Sequence, residues 1–81
     1  MFNVYILVSK KDNGFYIGQT GNLEKRILRH NNGMVNSTKH RKPLRLIYTE
    51  EFLTRGEAMK REKYFKSLEG GKLIKDFLKN K

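Results

Sequence analysis

The step Asn13-Gly14 constrains this chain more than any other dipeptide in it. Asn-Gly between two apolar runs is the strongest short-range hairpin signal, because both residues accept positive φ at little cost. Ahead of it stands Asn3-Val4-Tyr5-Ile6-Leu7, and behind it Phe15-Tyr16-Ile17-Gly18-Gln19-Thr20. Both are rich in β-branched and aromatic residues, which suits strands. The reading is an antiparallel hairpin over residues 2–8 and 14–19, with one tyrosine on each strand. Sequence separation alone does not say whether Tyr5 and Tyr16 share a face, since the turn sets the register. Gly18 weakens its strand unless the backbone bulges or something approaches closely there.

After the hairpin, Thr20-Gly21 breaks the strand and Asn22 is a good N-cap for a helix over Leu23 to Asn31, stopped by Gly33. Helical spacing lines up Leu23, Ile27 and His30, with Arg26 on the flank. An arginine and a histidine beside an inward stripe are expensive unless something pairs with them. Residues 32–43 are polar and basic without a period. They read as an ordinary solvated loop or as a substrate loop, in which Ser37, Thr38, Lys39 and Arg41 grip phosphates. Leu44 to Phe52 form a third strand, and Thr54-Arg55-Gly56-Glu57 has capping-box spacing. In the helix that follows, Glu62 falls between the apolar Ala58 and Phe65, and a carboxylate there wants a cation. Glu69-Gly70-Gly71 is expected to end that helix, leaving Leu73, Ile74, Phe77 and Leu78 as the apolar face of a short last one. The fold class is therefore α+β: a small three-stranded antiparallel sheet flanked by helices, in the order β-β-α-β-α-α.

The length of 81 residues fits one small domain. Eighteen Lys and Arg against eight Asp and Glu give a net charge of +10, and from Lys25 through Thr49 there are seven basic residues and no acidic one. Such a surface suits a polyanion, most simply nucleic-acid phosphate, with a ribosome-associated basic protein as the other reading. No apolar run approaches the ~20 residues that span a bilayer, so no membrane role is expected. The absence of cysteine excludes disulfides and thiol catalysis, and with no export leader visible the expected location is the cytoplasm.

Five polar residues thus stand out, Tyr5, Tyr16, Arg26, His30 and Glu62, with Gly18 among them. Their order resembles the GIY-YIG endonuclease superfamily. Val4-Tyr5-Ile6 stands where the first motif lies, with Asn3 in place of its glycine, and Tyr16-Ile17-Gly18 matches the second in full. Thr20, Asn22-Leu23, Arg26 and His30 follow as in the family's first helix. Ser37-Thr38-Lys39, Arg41 through Leu44, Tyr48 and the Glu57 to Lys66 segment are similar to the small stand-alone bacterial branch. The resemblance implies an endonuclease cutting phosphodiester bonds of DNA, with RNA left open, at structured or damaged sites in repair or recombination. It implies one Mg²⁺ or Mn²⁺ ion held by Glu62, Arg26 on the scissile phosphate, and Tyr16 orienting or deprotonating the attacking water. Tyr5 would assist through hydrogen bonds, and His30 would either share the base role or orient its neighbours. Specificity is left to the substrate's shape or to a targeting partner protein. The alternative is a non-catalytic nucleic-acid-binding module on the same fold.

Overall fold

The computed structural model describes residues 1–79. The elements are β1 (Phe2–Ser9), β2 (Phe15–Thr20), α1 (Leu23–Asn31), β3 (Leu44–Phe52), α2 (Arg55–Phe65) and α3 (Leu68–Lys79). The three strands form one antiparallel sheet in the order β2-β1-β3. This is the α+β architecture and element order that the sequence implies.

The first strand is central and buried on both faces, which its run Val4-Tyr5-Ile6-Leu7 already suits. Val4 and Ile6 face one way and pack with Ile17, Ala58, Phe65 and Ile74, so α2 and α3 cover that side. Tyr5 and Leu7 face the other way with Leu44, under Leu23 and Ile27 of α1. The hairpin loop spans residues 10–14. Asn13 takes the left-handed conformation (φ 60°), and the Ser9 N–H donates to the Gly14 carbonyl at 2.8 Å. Pairing between β1 and β3 shifts at Ile6/Leu7, where Ile47 is the unmatched residue of a bulge.

The capping predictions for α1 and α2 match the structure. Asn22 accepts from the Lys25 N–H, and Gly33 (φ 74°) turns the chain away after α1. At the start of α2, Thr54 and Glu57 form a reciprocal capping box. A bidentate Arg61–Glu50 pair (2.7 and 3.2 Å) ties α2 to β3, and the Arg61 guanidinium lies 4.6 Å from the Phe65 ring centre.

One boundary differs from the sequence reading. Glu69-Gly70-Gly71 does not end α2, which stops at Phe65; these residues form the first turn of α3. Ser67 explains the difference, since its hydroxyl accepts from the Gly70 N–H (3.2 Å) and its carbonyl from the Gly71 N–H (2.8 Å). The N-cap serine together with the burial of Ile74 offsets the low helix propensity of two glycines, each costing about 1 kcal/mol. Of the expected apolar face, Ile74 is buried and Leu73 and Phe77 are partly exposed, while the Leu78 side chain lies outside the described residues.

Candidate active site

Register decides how the two tyrosines meet. Tyr5 pairs with Gly18 and Leu7 with Tyr16, so Tyr5 and Tyr16 stand diagonally on the same face of the hairpin. Their ring centres are 6.3 Å apart. Gly18 makes the close approach possible, and no bulge is present there. A Cβ at residue 18 would lie 2.6 Å from Tyr5 Cζ and overlap the phenol hydroxyl. Gly18→Ala is therefore expected to destabilise the fold by about 2 kcal/mol and to displace Tyr5, since added bulk against a packed ring has nowhere to go. Thermal melts check the first part, and loss of Tyr5 protection from solvent perturbation of its absorbance checks the second.

The first helix brings Arg26 and His30 over this face. The Tyr5 hydroxyl receives a hydrogen bond from Arg26 Nε (3.3 Å) and is bonded to His30 Nε2 (3.0 Å). His30 Nδ1 is bonded in turn to the Thr38 hydroxyl (2.8 Å). Tyr5, His30 and Thr38 have no exposed surface. A neutral imidazole meets both partners, with one nitrogen donating and the other accepting. Tyr16 lies edge-on to His30, with ring centres 5.0 Å apart, and remains half-exposed.

Charges follow from this burial. Desolvation, with the Arg26 guanidinium nearby, pulls His30 down from 6.5 to about 4, so the ring is neutral at pH 7. Burial pushes the Tyr5 phenol up, the Arg26 hydrogen bond opposes that, and the Tyr16 and Glu62 charges add to the rise. The hydrogen bond to Tyr5 keeps Arg26 firmly protonated, with Tyr16 contributing. The His30 shift predicts a pH dependence of stability. The unfolded chain takes up a proton near 6.5 that the folded chain accepts only near 4, so stability is lost as pH falls through that window. The loss is on the order of 3 kcal/mol at most. Glu50 and Asp12, whose hydrogen bonds to Arg61 and to Gly14 lower them, add acid sensitivity from their ordinary values of 4.5 and 3.8 downward, equally in the wild type and in His30→Gln. Melting temperatures between pH 7 and 4 should therefore fall more steeply for the wild type than for His30→Gln; parallel slopes would refute the assignment.

Helix α2 packs against β1 and the edge strand β2 and carries Glu62 within electrostatic reach of Tyr5. The Glu62 side chain is 22% exposed and holds Lys66 Nζ at 2.6 Å, which is the cation its position calls for. Lys66 and Tyr16 line one open groove, and Lys66 reaches from it to the Glu62 carboxylate. Tyr5, Tyr16, Arg26 and His30 are thus brought together from three elements, while Glu62 stands on α2 and acts on Tyr5 only through its charge. The loop residues divide. Ser37 and Lys39 are exposed and free to meet a substrate. Thr38 instead points inward to His30, and Arg41 pairs with Asp12 at 3.0 Å. The loop is held by Asn31, whose side chain accepts from the Leu44 N–H (2.7 Å) and donates to its carbonyl (3.0 Å). Sequence reasoning missed Thr38 as the partner of His30; their spacing of eight residues across an irregular loop carries no periodic signal.

Glu62 is the carboxylate that would hold a divalent ion. Among the described residues no group of three or more His, Asp or Glu side chains converges on one point. A single half-buried carboxylate beside phenols suits a hard cation that keeps most of its waters, as Mg²⁺ does.

The GIY-YIG catalytic domain family matches residues 1–74. The UPF0213 protein YazA of Bacillus subtilis is 46% identical over 65 residues, covering 79% of this chain and 66% of that relative. A UPF0213 protein of Staphylococcus saprophyticus is 44% identical over 73 residues, covering 88% of this chain and 89% of its own. One from Clostridium perfringens is 50% identical over 66 residues, covering 80% of this chain and 70% of its own. No solved structure matches the chain significantly. A paired-tyrosine hairpin, a helix with Arg26 and His30 above it, and a matching domain over residues 1–74 make this chain a member of the GIY-YIG nuclease family.

Proposed function

We propose that this protein is a metal-dependent endonuclease that hydrolyses phosphodiester bonds in DNA, acting on structured or damaged sites. The observation that carries the reading is the hydrogen-bonded chain Arg26–Tyr5–His30–Thr38 standing beside the half-exposed Tyr16. A mere nucleic-acid binder has no need for a carboxylate at a phosphate site, because it repels the ligand.

Phosphodiester hydrolysis needs a positioned water, charge neutralisation on the phosphoryl oxygens and help for the leaving oxygen. Arg26, permanently charged and fork-shaped, grips the non-bridging oxygens with the two terminal nitrogens that its Nε bond to Tyr5 leaves over. Tyr5 stays protonated and fixes that fork; His30, neutral and bonded at both nitrogens, fixes Tyr5. Both are positioning residues, and His30 is too acidic as a conjugate acid and too enclosed to serve as the base. Tyr16 is the phenol that reaches solvent, so it orients the attacking water, and as phenolate it would take up that water's proton. Glu62 would hold Mg²⁺ or Mn²⁺, exchanging Lys66 for the ion. Such an ion, when bound, supplies Lewis-acid stabilisation of the phosphate and its leaving group. Ser37 and Lys39 meet the flanking backbone, and no helix among the described residues is long and apolar enough to cross a membrane.

The deciding experiment is a panel of plasmid, hairpin, flap and junction DNA, with and without Mg²⁺ or Mn²⁺. Cleavage dependent on the cation supports the reading; binding without cleavage of any substrate overturns it in favour of a binding module. Two conservative variants then separate the phenols. Tyr16→Phe is expected to lower the rate by about 10²-fold with the melting temperature unchanged. Tyr5→Phe leaves the Arg26 and His30 nitrogens short of a partner and lowers stability as well, by about 1–3 kcal/mol.

A further inference from the structure

The groove beside Tyr16 extends well beyond the reacting groups. It has a volume of about 540 Å³ and runs between β2 and α3, with Phe15 and Tyr16 on one wall and Lys66, Lys72 and Lys75 on the other. Lys79 carries the same wall on toward the end of α3, with Asp76 among the lysines as the one acidic side chain there. Lys72, Lys75 and Lys79 are three and four residues apart and so share one stripe of the helix. None takes part in the ion pairs of the described residues, which use Arg41, Arg61 and Lys66. At 1.5 Å per residue the stripe covers about 10 Å of helix. That equals about three phosphate steps of a nucleic-acid strand at ~3.4 Å each.

We propose that this groove is a binding track for a single strand of nucleic acid, flanking the bond at Tyr16 and Glu62, in which Lys72, Lys75 and Lys79 hold phosphates and Phe15 stacks a base. The proposal deepens the nuclease reading above and rests on it for the direction of the strand. Three features favour a nucleic-acid strand as occupant. Lys72, Lys75 and Lys79 take part in no ion pair among the described residues, Phe15 and Tyr16 line the facing wall, and Tyr16 belongs to both the groove and the candidate site. Aromatic faces opposite a basic stripe are what an unpaired strand uses, since every base has a π-face. An acidic polypeptide meets the lysines but makes no use of Phe15. The track also answers a deficit left by the loop, where Thr38 and Arg41 are engaged within the protein.

The test is the affinity of the full-length protein, in EDTA, for a fluorescein-labelled 12-nucleotide DNA strand of mixed sequence. The triple variant Lys72→Gln, Lys75→Gln, Lys79→Gln is expected to bind roughly tenfold more weakly at ~0.1 M salt, with the salt slope reduced by about 2. A control triple, Lys10→Gln, Lys11→Gln, Lys60→Gln, removes equal charge from other exposed positions and is expected to change affinity less than about threefold. Phe15→Leu keeps the apolar bulk and should abolish quenching of a 2-aminopurine base in the same strand. Equal weakening by both triples reduces the track to general charge and overturns it. Polyglutamate of the same length competing as well as the unlabelled strand also overturns it, in favour of an acidic protein partner. Catalysis is read separately, with bis(p-nitrophenyl) phosphate and Mn²⁺, a substrate too small to reach the lysines. The triple variant should hydrolyse it at the wild-type rate. If the wild type cleaves nothing, the nuclease reading fails while the binding result stands on its own.

Discussion

Arg26→Ala and Glu62→Gln should each lower the rate of DNA nicking by about 10³-fold while the protein stays folded. Both groups act on charge that develops only as the phosphate reacts, so their removal falls on the chemical step. Neither carries the core: Arg26 is half-exposed and Glu62 is 22% exposed. Arg26→Lys keeps the charge but loses the fork that bonds Tyr5 and phosphate together, so it should recover only a small part of the rate. Glu62→Gln keeps the shape and loses the anion, so raising Mg²⁺ or Mn²⁺ should restore little. Circular dichroism and melting curves establish folding, and single-turnover nicking gives the rates. A Glu62→Gln protein as active as the wild type would remove the metal assignment altogether.

The adjacent glycines of α3 should answer the same substitution with opposite signs. A Cβ on Gly70 would lie 2.6 Å from Phe65 Cα and overlap the Tyr64 carbonyl, both of them backbone at the end of α2. Backbone cannot rotate away, so α3 has to back off from the core that Ile74 and Phe65 share. Gly70→Ala is expected to cost about 3 kcal/mol, at the upper end for overpacking. For a domain of this size that lowers the melting temperature by about 15 °C. Gly71 has nothing within 4 Å of its virtual Cβ. There alanine only restricts the unfolded chain, and Gly71→Ala should stabilise by about 0.4–1 kcal/mol. Melts of the two variants side by side decide the matter, because an equal response from both would mean that α3 does not pack as described.

Much of the architecture was legible because local signals agreed with it. Asn13-Gly14, the Asn22 cap and the Thr54/Glu57 box each act over two to four residues, a range in which sequence specifies geometry. The start of α3 was misread for the same reason in reverse. Two consecutive glycines look like a stop, and the serine that begins the helix three residues before Gly70 is a weaker mark than the glycines it overrides. The loop was half legible. Its basic residues are plain in the sequence, yet Thr38 is fully buried on His30 and Arg41 is neutralised by Asp12 from the hairpin loop. Neither partner is near in the chain, so no spacing rule finds them. The lysine stripe of α3 was present as a spacing of three and four, but its meaning depends on Phe15 and Tyr16 lying opposite.

By itself the sequence determined the elements, their order, the excess of positive charge and the set of five polar residues that a core does not explain. Only the tertiary structure decided that Tyr5 and Tyr16 share a face, that His30 is locked and neutral, and that Glu62 on α2 lies within electrostatic range of Tyr5. The reason is physical: propensity, capping and turn chemistry act between neighbours, whereas register, burial and the field at a titratable group are set by residues tens of positions away.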